Sequence, residues 1–257
     1  MNDNTGTIRI VPRGQRADVI IDRAEARNAL TWSMYDELER AMNELGADAS
    51  LRVIVIRGAG QTFSSGTDIS QFESFNAEDG IGYERRIESI LIRVAQLPVP
   101  TVAAVEGIAA GAGLLLAAAC DIRVCTPEAR FGAPIARTVG NALSATSLAR
   151  LIPLLGAGRV RTMLLTASLM NADEAQTCGF VSSIVSATEM DAHLDFLCER
   201  LHAHAPLTMR VTRQLIERVL GGRLDDEDLL RQIYSSEDFA EGVRAFLAKR
   251  PPQWRGR

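Results

Sequence analysis

The chain has 257 residues, of which 47% are apolar, so it can bury a substantial core in one large domain or in a domain with a small appendage. Its 28 basic and 32 acidic residues give a formal charge of −4, which argues against a nucleic-acid-binding protein with a basic face. The opening segment 1–6 lacks the basic and apolar stretches of a secretory signal, and no apolar run is long enough to cross a membrane. We therefore expect a cytoplasmic protein that binds neither nucleic acid nor membrane.

The first half of the chain predicts short strands that alternate with helices. In chain order these elements are strands 7–11 and 17–21, a helix capped by Ser33, strand 51–56, helix 83–97, strand 101–105, helix 112–119, and strands 121–125 and 129–131. The β-branched run 51–56 suits a strand buried in a parallel sheet. A polar stretch, 70–82, carries glycines and acids and is expected to be mobile. Repeated strand–turn–helix units predict a layered α/β architecture.

The second half of the chain changes character after Asn141 and predicts mainly helices. These are 144–155, 158–167, 172–178, 189–203, 206–220, 226–234 and 239–249, with one short strand at 182–185. Amphipathic helices that follow an α/β core are typical of an oligomerisation region. We therefore divide the chain into an α/β core, 1–195, and a C-terminal helical oligomerisation region, 196–257.

Two glycine-containing segments are the strongest functional signals in the chain. They are Phe-Ser-Ser-Gly-Thr-Asp-Ile at 63–69 and Glu-Gly-Ile-Ala-Ala-Gly-Ala-Gly at 106–113. Each predicts a strand that ends in a tight turn and opens into a helix, which leaves backbone N–H groups unpaired. Two such turns side by side could hold one carbonyl oxygen as it becomes an oxyanion. The apolar residues at 114–116 and at 134–135 follow, where an acid–base enzyme would have carboxylates.

The cysteines and histidines do not predict a metal site. The four cysteines show neither a Cys-x-x-Cys pair nor a zinc-like spacing with histidine, and Cys120 and Cys125 are expected to be buried free thiols. The three histidines, at 193, 202 and 204, lie far along the chain from the glycine segments and are expected on the surface near a helix end. The commonest general base is therefore not expected in the site.

Five segments together resemble the crotonase family, also called the enoyl-CoA hydratase/isomerase superfamily. They are 23–30, 63–69, 106–113 with the Cys-Asp pair at 120–121, Phe-Gly-Ala-Pro at 131–134, and the terminal block 236–250. The resemblance implies a crotonase-like α/β spiral of ββα units with a C-terminal helical region that forms trimers or hexamers. It implies an acyl-CoA thioester as substrate, with coenzyme A as part of the substrate and no tightly bound cofactor.

The resemblance also implies a set of site residues. The oxyanion hole would use the backbone N–H groups of Ser65 and Ala112, and Phe246 and Lys249 of a neighbouring subunit would approach the adenine end of coenzyme A. The implied substrate site comprises Ala26, Arg27, Asn28, Ser65, Gly66, Thr67, Asp68, Ile69, Ala109, Gly111, Ala112, Leu115, Pro134, Ile135, Thr138, Phe246 and Lys249. Ala112 stands where the family has glycine, which preserves a backbone donor.

Two departures from the family pattern affect the chemistry. Leu115 and Ile135 stand where hydratases of the family carry their two glutamates. Addition of water to an enoyl double bond needs a positioned base and acid, and neither side chain can transfer a proton. We therefore expect no ordinary hydratase activity, and the second missing glutamate also puts ordinary isomerase chemistry in doubt.

Other polar residues could supply the missing proton transfer or could be purely structural. Arg137 could clamp a substrate carboxylate, and Thr138, Asn141 or Ser144 could orient a water or donate a proton. The alternative for this cluster is a solvated loop with Asn141 or Ser144 as a helix cap. Asp68 could act as an acid or base, but a role in fixing its turn is favoured, and Asp121 is interpreted in the same way as an anchor at a strand edge.

Four functions remain open at this point. The first is a lyase or isomerase that acts on an acyl-CoA thioester through an enolate held in the oxyanion hole. The second is decarboxylation of a carboxylate-bearing thioester, for which Arg137 is the motive, because loss of carbon dioxide makes the enolate without a base. The third is thioester hydrolysis with water placed by Asn141 or Ser144. The fourth is binding of acyl-CoA without catalysis.

Overall fold

The computed structural model describes residues 6–257, so the expectation about a secretory signal, which concerns the first residues, lies outside the described part of the chain. The strands are β1 (Thr7–Arg13), β2 (Arg16–Asp22), β3 (Val53–Gly58), β4 (Thr101–Val105), β5 (Ile108–Ala110), β6 (Ile122–Cys125), β7 (Arg130–Gly132), β8 (Met170–Asn171) and β9 (Ser183–Ile184). The helices are α1 (Trp32–Ala47), α2 (Ala77–Ala95), α3 (Ala112–Ala119), α4 (Ile135–Thr138), α5 (Ala145–Leu155), α6 (Ala157–Thr166), α7 (Ala172–Thr177), α8 (Met190–His202), α9 (Pro206–Leu220), α10 (Glu227–Tyr234) and α11 (Glu237–Leu247). The predicted α/β alternation is confirmed.

Six strands form the main sheet in the order β1, β2, β3, β4, β6, β9. The first two are antiparallel neighbours, and every other neighbouring pair in this sheet is parallel. The run 53–56 in β3 is fully buried, because helices cover both faces of the sheet. One face packs against α1, α2 and α3, and the other packs against α8.

A second, three-stranded sheet fixes the start of α3. Its order is β5, β7, β8, and β5 runs parallel to β7. The sequence did not predict β5, because residues 106–113 were interpreted as one turn between a strand and a helix. Directly after β5, the N–H of Gly111 donates to the carbonyl oxygen of Gly132 at 2.9 Å. The backbone at Gly111 has a φ of 53°, which glycine adopts without strain.

Two helices begin earlier than the sequence predicted. Thr31, and not Ser33, is the N-cap of α1, because its side chain accepts a backbone hydrogen bond from the first turn. The helix predicted to start at residue 83 starts at Ala77, because Asn76 begins a capping box there. The stretch 70–82, expected to be mobile, is therefore partly helical.

The boundary predicted between residues 195 and 196 falls inside α8. Met190, Leu194 and Cys198 of this helix all pack against the main sheet. The whole of α8 therefore belongs with the α/β core, and the C-terminal helical region begins after His202.

The C-terminal helical region, including the loop between α9 and α10, leaves large apolar side chains in solvent. Leu224, Phe246 and Leu247 are 82%, 83% and 76% exposed. Apolar groups exposed to this extent are typical of a surface that another protein covers. The predicted self-association as a trimer or hexamer would use such a surface, and it stays a prediction.

The cysteines lie where their apolar neighbours predicted. Cys120 and Cys125 are buried free thiols, and burial raises the pKa of each to about 12. Both are therefore protonated and unreactive at neutral pH. In residues 6–257, no helix is both long enough and apolar enough to span a membrane.

Candidate active site

The two glycine-containing segments lie against each other through backbone hydrogen bonds. The N–H of Ser64 donates to the carbonyl oxygen of Ile108, and the N–H of Ala110 donates to the carbonyl oxygen of Ser64, both at 2.9 Å. Glycine permits this approach, since a Cβ on Gly66 would stand 2.9 Å from the carbonyl oxygen of Ala110. The side-by-side arrangement predicted for the two turns is therefore present.

Two N–H groups at this junction, those of Thr67 and Ala112, have no hydrogen-bond acceptor within residues 6–257. Ala112 is the first residue of α3, and the first N–H groups of a helix have no partner within it. The backbone nitrogen of Ala112 lies close to Gly66, the residue before Thr67. If Gly66 carried a Cβ atom, that atom would stand 3.4 Å from the Ala112 nitrogen. Two such donors can receive one carbonyl oxygen and stabilise negative charge on it.

The donor predicted on the first segment is paired within the chain. The N–H of Ser65 donates to the carbonyl oxygen of Arg27 at 3.0 Å, so it is already paired. The N–H of Asp68 is paired as well, with the carbonyl oxygen of Leu30 at 2.9 Å. The N–H of Gly66 donates to the hydroxyl of Ser64 at 3.2 Å. In the segment 65–68 this leaves Thr67 as the unpaired donor. No local sequence signal distinguishes these neighbours, because the partners of Ser65 and Asp68 lie almost forty residues earlier in the chain.

A chain of hydroxyl groups holds Thr67 in place. Its Oγ1 lies 2.6 Å from the phenol oxygen of Tyr35 and 2.8 Å from that of Tyr83. Burial raises the pKa of both phenols, so both are neutral at physiological pH. The three hydroxyl groups form an uncharged network around the side chain of Thr67.

A cavity of about 640 Å³ opens next to this network. It is lined by Phe72, Phe75, Asn76, Ala77, Gly80, Ile81, Tyr83, Glu84, Arg85, Glu88, Val139, Asn141, Ala142 and Ser144. Tyr83 belongs both to the cavity wall and to the hydroxyl network, so its side chain links the cavity to Thr67, although Thr67 and Ala112 are not lining residues. Its mainly apolar and aromatic wall, with a few polar groups, is typical of a site for a small organic molecule.

Glu84 is a titratable group of the cavity that sequence reasoning missed. Its Oε2 accepts the N–H of Ser144 at 3.1 Å. Burial raises the pKa of Glu84 and outweighs the hydrogen bonds from Ser144, which act in the opposite direction. In the sequence, Glu84 lies in a charged run of α2 that is typical of a solvated helix face. Only the segment 139–144, folded over that face, makes it part of a cavity.

The polar cluster after Ile135 divides into two parts. Arg137 is exposed on the short helix α4, outside the cavity lining, and Thr138 donates its hydroxyl to the carbonyl oxygen of Pro134 at 3.1 Å. Asn141 and Ser144 line the cavity. Ser144 is also the N-cap of α5, because its Oγ accepts a backbone N–H at 3.2 Å. Ser144 therefore both caps α5 and lines the cavity.

The two positions at which the resemblance led us to expect glutamates are apolar in space as well as in sequence. Leu115 lies within α3 and is 3% exposed, in the main core. Ile135 is the first residue of α4 and is partly buried. Ala109, in β5, is fully buried and contributes only to packing and pairing. None of these side chains can accept a proton.

The loop predicted to bind coenzyme A is held firmly by its own hydrogen bonds. Arg27 and Asn28 have φ values of 53° and 54°. The buried side chain of Asn28 donates to the carbonyl oxygens of Ala59 and Thr62, which fastens the loop to the chain before the first glycine segment. The N–H groups of residues 26–29 are all paired within the loop, and each carbonyl oxygen of these residues already accepts a hydrogen bond. The exposed side chain of Arg27 is therefore what the loop offers a ligand.

The remaining residues implied for coenzyme A lie on the surface. Ile69 is 60% exposed at the end of the first glycine segment. Phe246 and Lys249 are exposed at the end of α11. Their predicted contact with coenzyme A in a neighbouring subunit stays a prediction.

Asp68 has the structural role that the sequence favoured. One oxygen of its carboxylate accepts the N–H and hydroxyl of Ser70, and the other accepts a 2.7 Å hydrogen bond from Arg23. Although burial opposes the shift, these hydrogen bonds lower the pKa of Asp68. A carboxylate with every partner in place fixes the turn and is not available as a base.

Asp121 likewise anchors the edge of a strand. It accepts the N–H of Thr101 at 2.6 Å and pairs with Arg213 at 2.7 Å. Arg213 is 8% exposed and also donates to the carbonyl oxygens of Leu97 and Ala95. Asp121 therefore connects the main sheet with α9.

Replacement of Asp121 by Ala is expected to lower the free energy of unfolding by about 2 kcal/mol, because it leaves the Arg213 charge buried without its partner. Urea denaturation followed by circular dichroism measures the change. The control is Asp225→Ala, which breaks exposed ion pairs and is expected to cost less than about 1 kcal/mol. Equal effects of the two substitutions would contradict a special role for Asp121.

Comparison with known proteins gives a consistent result. The family model for enoyl-CoA hydratase/isomerase matches residues 16–257. The chain is 31% identical over 247 residues to the mitochondrial methylglutaconyl-CoA hydratase of Mus musculus, which covers 92% of this chain and 78% of that protein. It is 29% identical over 244 residues to a short-chain-enoyl-CoA hydratase of Clostridium acetobutylicum, with 92% and 93% covered. A crystal structure of an enoyl-CoA hydratase/carnithine racemase from Magnetospirillum magneticum superimposes with a TM-score of 0.90 at 33% identity, with 97% and 96% covered.

Proposed function

Since the chain belongs to the enoyl-CoA hydratase/isomerase family, we propose that it binds an acyl-CoA thioester and stabilises the thioester enolate with the N–H groups of Thr67 and Ala112. The crotonase-like α/β fold and the family predicted from the sequence are confirmed. The substrate, the chemical step and the residues belong to the proposal.

The observation that carries this proposal is the pair of unpaired N–H groups at the junction of the two glycine segments. Ser65 and Gly111, which flank the pair, have their N–H groups satisfied within the fold. Because the neighbouring N–H groups are paired and those of Thr67 and Ala112 are not, these two donors can bind an acceptor from outside the chain. A preorganised donor of this kind is worth about 3–4 kcal/mol to a transition state that develops an oxyanion.

The surroundings of the N–H pair support a thioester with an apolar acyl group. The cavity that Tyr83 links to Thr67 presents Phe72, Phe75, Ile81 and Val139, which suit a hydrocarbon chain. The exposed guanidinium of Arg27, whose carbonyl oxygen accepts the Ser65 N–H, could meet a phosphate of coenzyme A. Coenzyme A is part of the substrate in this proposal, and no resident cofactor is required.

Hydration is not the proposed reaction. With Leu115 and Ile135 in place of carboxylates, nothing at these two positions can activate water or protonate the enolate. The proposal is therefore an enolate reaction that consumes no water. The runner-up is acyl-CoA binding without catalysis, and the same two apolar side chains favour it.

The other two alternatives have less support. Decarboxylation was motivated by Arg137, but this side chain is exposed and lies outside the cavity lining. Hydrolysis was motivated by Asn141 and Ser144, which do line the cavity, but the Ser144 hydroxyl is engaged in capping α5. Neither is part of the proposal.

The proposed function predicts binding of acyl-CoA together with weak hydration. Calorimetry with octanoyl-CoA should show saturable binding, and octanoic acid alone should bind much more weakly. Hydration of crotonyl-CoA, followed by loss of the enoyl-thioester absorbance, should be at least about 100-fold slower than that of a family hydratase with both glutamates, because acid–base groups contribute at least that factor.

Three outcomes would contradict parts of this proposal. Absence of binding to any acyl-CoA would overturn the substrate class. Crotonyl-CoA hydration at the ordinary rate would overturn the exclusion of hydratase chemistry. Turnover of malonyl-CoA that Arg137→Ala abolishes would replace the proposal by decarboxylation.

A further inference from the structure

The cavity of about 640 Å³ carries two carboxylates that face it together. Glu84 and Glu88 both line it, and they lie four residues apart on α2, a spacing that places side chains on one face of a helix. Glu84 accepts its hydrogen bonds from Ser144, which is uncharged. In residues 6–257 neither carboxylate forms an ion pair. Two like charges therefore share this cavity without a counter-charge.

The basic side chains of α2 near the cavity do not supply that counter-charge. Arg86 pairs with Asp36 and lies over the ring of Trp32, 5.3 Å from its centroid. Arg85 lines the cavity, but it is exposed and forms no ion pair with any described residue. The facing segment 139–144 contributes only uncharged residues. Two acidic groups and one basic group leave the lining with a formal charge of −1.

The two carboxylates act on each other across the cavity. Burial raises the pKa of Glu84, and the charge of Glu88 acts in the same direction. Because Glu84 is partly buried, it also lacks the full solvation of a surface glutamate. A cation held beside the pair would relieve both the repulsion and the lost solvation.

Aromatic rings form another part of the same wall. Phe72, Phe75 and Tyr83 line the cavity, and the ring centroid of Phe72 lies 4.7 Å from that of Phe75 and 4.9 Å from that of Tyr83. The face of an aromatic ring attracts an organic ammonium ion. Calcium and magnesium ions instead require several oxygen ligands. Rings together with two carboxylates therefore favour an organic cation over a metal ion.

We propose that this cavity binds an organic cation, an ammonium group carried on a hydrocarbon body. The aromatic rings and the two carboxylates attract the charge, and the aliphatic side chains of Ile81 and Val139 contact the hydrocarbon. The ammonium group belongs either to a free small molecule or to the far end of an acyl chain on coenzyme A. Binding of a free cation needs no reaction at the N–H groups of Thr67 and Ala112, so this site goes beyond the proposed function.

Two pairs of ligands with equal shape test the preference for charge. The first pair is (ω-hydroxyhexyl)trimethylammonium and the neutral alcohol in which carbon replaces the nitrogen. The second pair is ω-trimethylammoniohexanoyl-CoA and the neutral thioester with the same replacement. Calorimetry gives the dissociation constants, and in at least one pair the cation should bind about 10-fold more tightly than its neutral partner. The first pair reports a free cation, and the second reports the end of an acyl chain.

Substitutions in the lining should change the affinity for the cation alone. Glu84→Gln keeps an oxygen to accept the Ser144 N–H, and it and Glu88→Gln should each weaken binding of the cation by about three- to fivefold. The double variant should abolish the preference for the cation. Phe75→Leu, which removes a ring and stays apolar, should weaken binding of the cation by about two- to fivefold. Each variant should bind the neutral partner within about twofold of the wild type.

The matched control is Glu78→Gln, on the same helix but exposed and outside the cavity lining, and it should keep the wild-type affinities. Acidification gives a further readout, because protonation removes the charge of a carboxylate. Binding of the cation should weaken as the pH falls toward the pKa of Glu84, which burial raises above that of an ordinary glutamate, and binding of the neutral partner should not change.

Equal affinities for the cation and its neutral partner in both pairs would overturn the cation site. A preference that the double variant of Glu84 and Glu88 retains would overturn it as well, provided that this variant shows a normal thermal unfolding transition. Failure of the proposed function has a different signature. Octanoyl-CoA would then not bind, while the free cation would still bind more tightly than the neutral alcohol.

Discussion

Replacement of Ala112 by proline is expected to lower the rate of Cα proton exchange in a bound acyl-CoA by roughly 10²–10³-fold, because it removes one of two oxyanion donors. Ala112 is the first residue of α3, and Gly111 is its N-cap. Proline is well tolerated at the first position of a helix, where the N–H has no partner in the helix. The substitution therefore removes the proposed donor with little effect on the helix itself.

The test needs a variant that changes the side chain and keeps the N–H. Ala112→Gly is that control, and it should retain the exchange rate within about threefold while costing at most about 1 kcal/mol of stability. Exchange is measured by nuclear magnetic resonance, binding by calorimetry, and folding by circular dichroism. If the Ala112→Pro variant folds, binds octanoyl-CoA and still exchanges the Cα proton at the wild-type rate, the N–H of Ala112 is not an oxyanion donor.

Local patterns in the sequence were sufficient for most of the architecture. The strand β3, whose run 53–56 is fully buried, and the wholly apolar helix α3 were predicted from composition alone, because residues buried on all sides leave no polar face. The C-terminal helices were predicted within two or three residues for the same kind of reason. The start of α2 was missed, because its first turn is polar and its Asn76 capping box was not considered.

The details of the site depend on contacts between distant parts of the chain. In the segment 65–68, the loop 27–30 pairs the N–H groups of Ser65 and Asp68, and the Ser64 hydroxyl pairs that of Gly66. The sequence alone pointed to Ser65 as the donor, whereas the structure leaves the N–H of Thr67 unpaired. Glu84 shows the same limit. Its position on α2 was compatible with a solvated face, and only the segment 139–144 encloses it. A local sequence pattern can identify a backbone turn. Which of its N–H groups is unpaired depends on hydrogen bonds with distant parts of the chain.

The second large effect is expected from replacement of Gly113, which lies at the junction of the two glycine segments. A Cβ there would stand 2.4 Å from the carbonyl oxygen of Ser64 and 2.9 Å from its Cβ. Ser64 cannot move away easily, because its N–H and carbonyl oxygen are paired with Ile108 and Ala110. Gly113→Ala should therefore push α3 away from the first glycine segment and lower the free energy of unfolding by about 3 kcal/mol.

The matched control for Gly113→Ala is Gly82→Ala. Gly82 lies in the exposed part of α2, and a Cβ there meets nothing within 4 Å, so alanine should stabilise the protein by about 0.5–1 kcal/mol. Urea denaturation measures both changes, and Cα exchange measures the site. Because α3 carries the Ala112 N–H, the Gly113→Ala variant should lose Cα proton exchange even at urea concentrations at which it is still folded. The Gly82→Ala variant should keep that exchange. If Gly113→Ala folds with wild-type stability, the two glycine segments can move apart at no cost in free energy. A fixed spacing of the Thr67 and Ala112 N–H groups would then no longer explain catalysis.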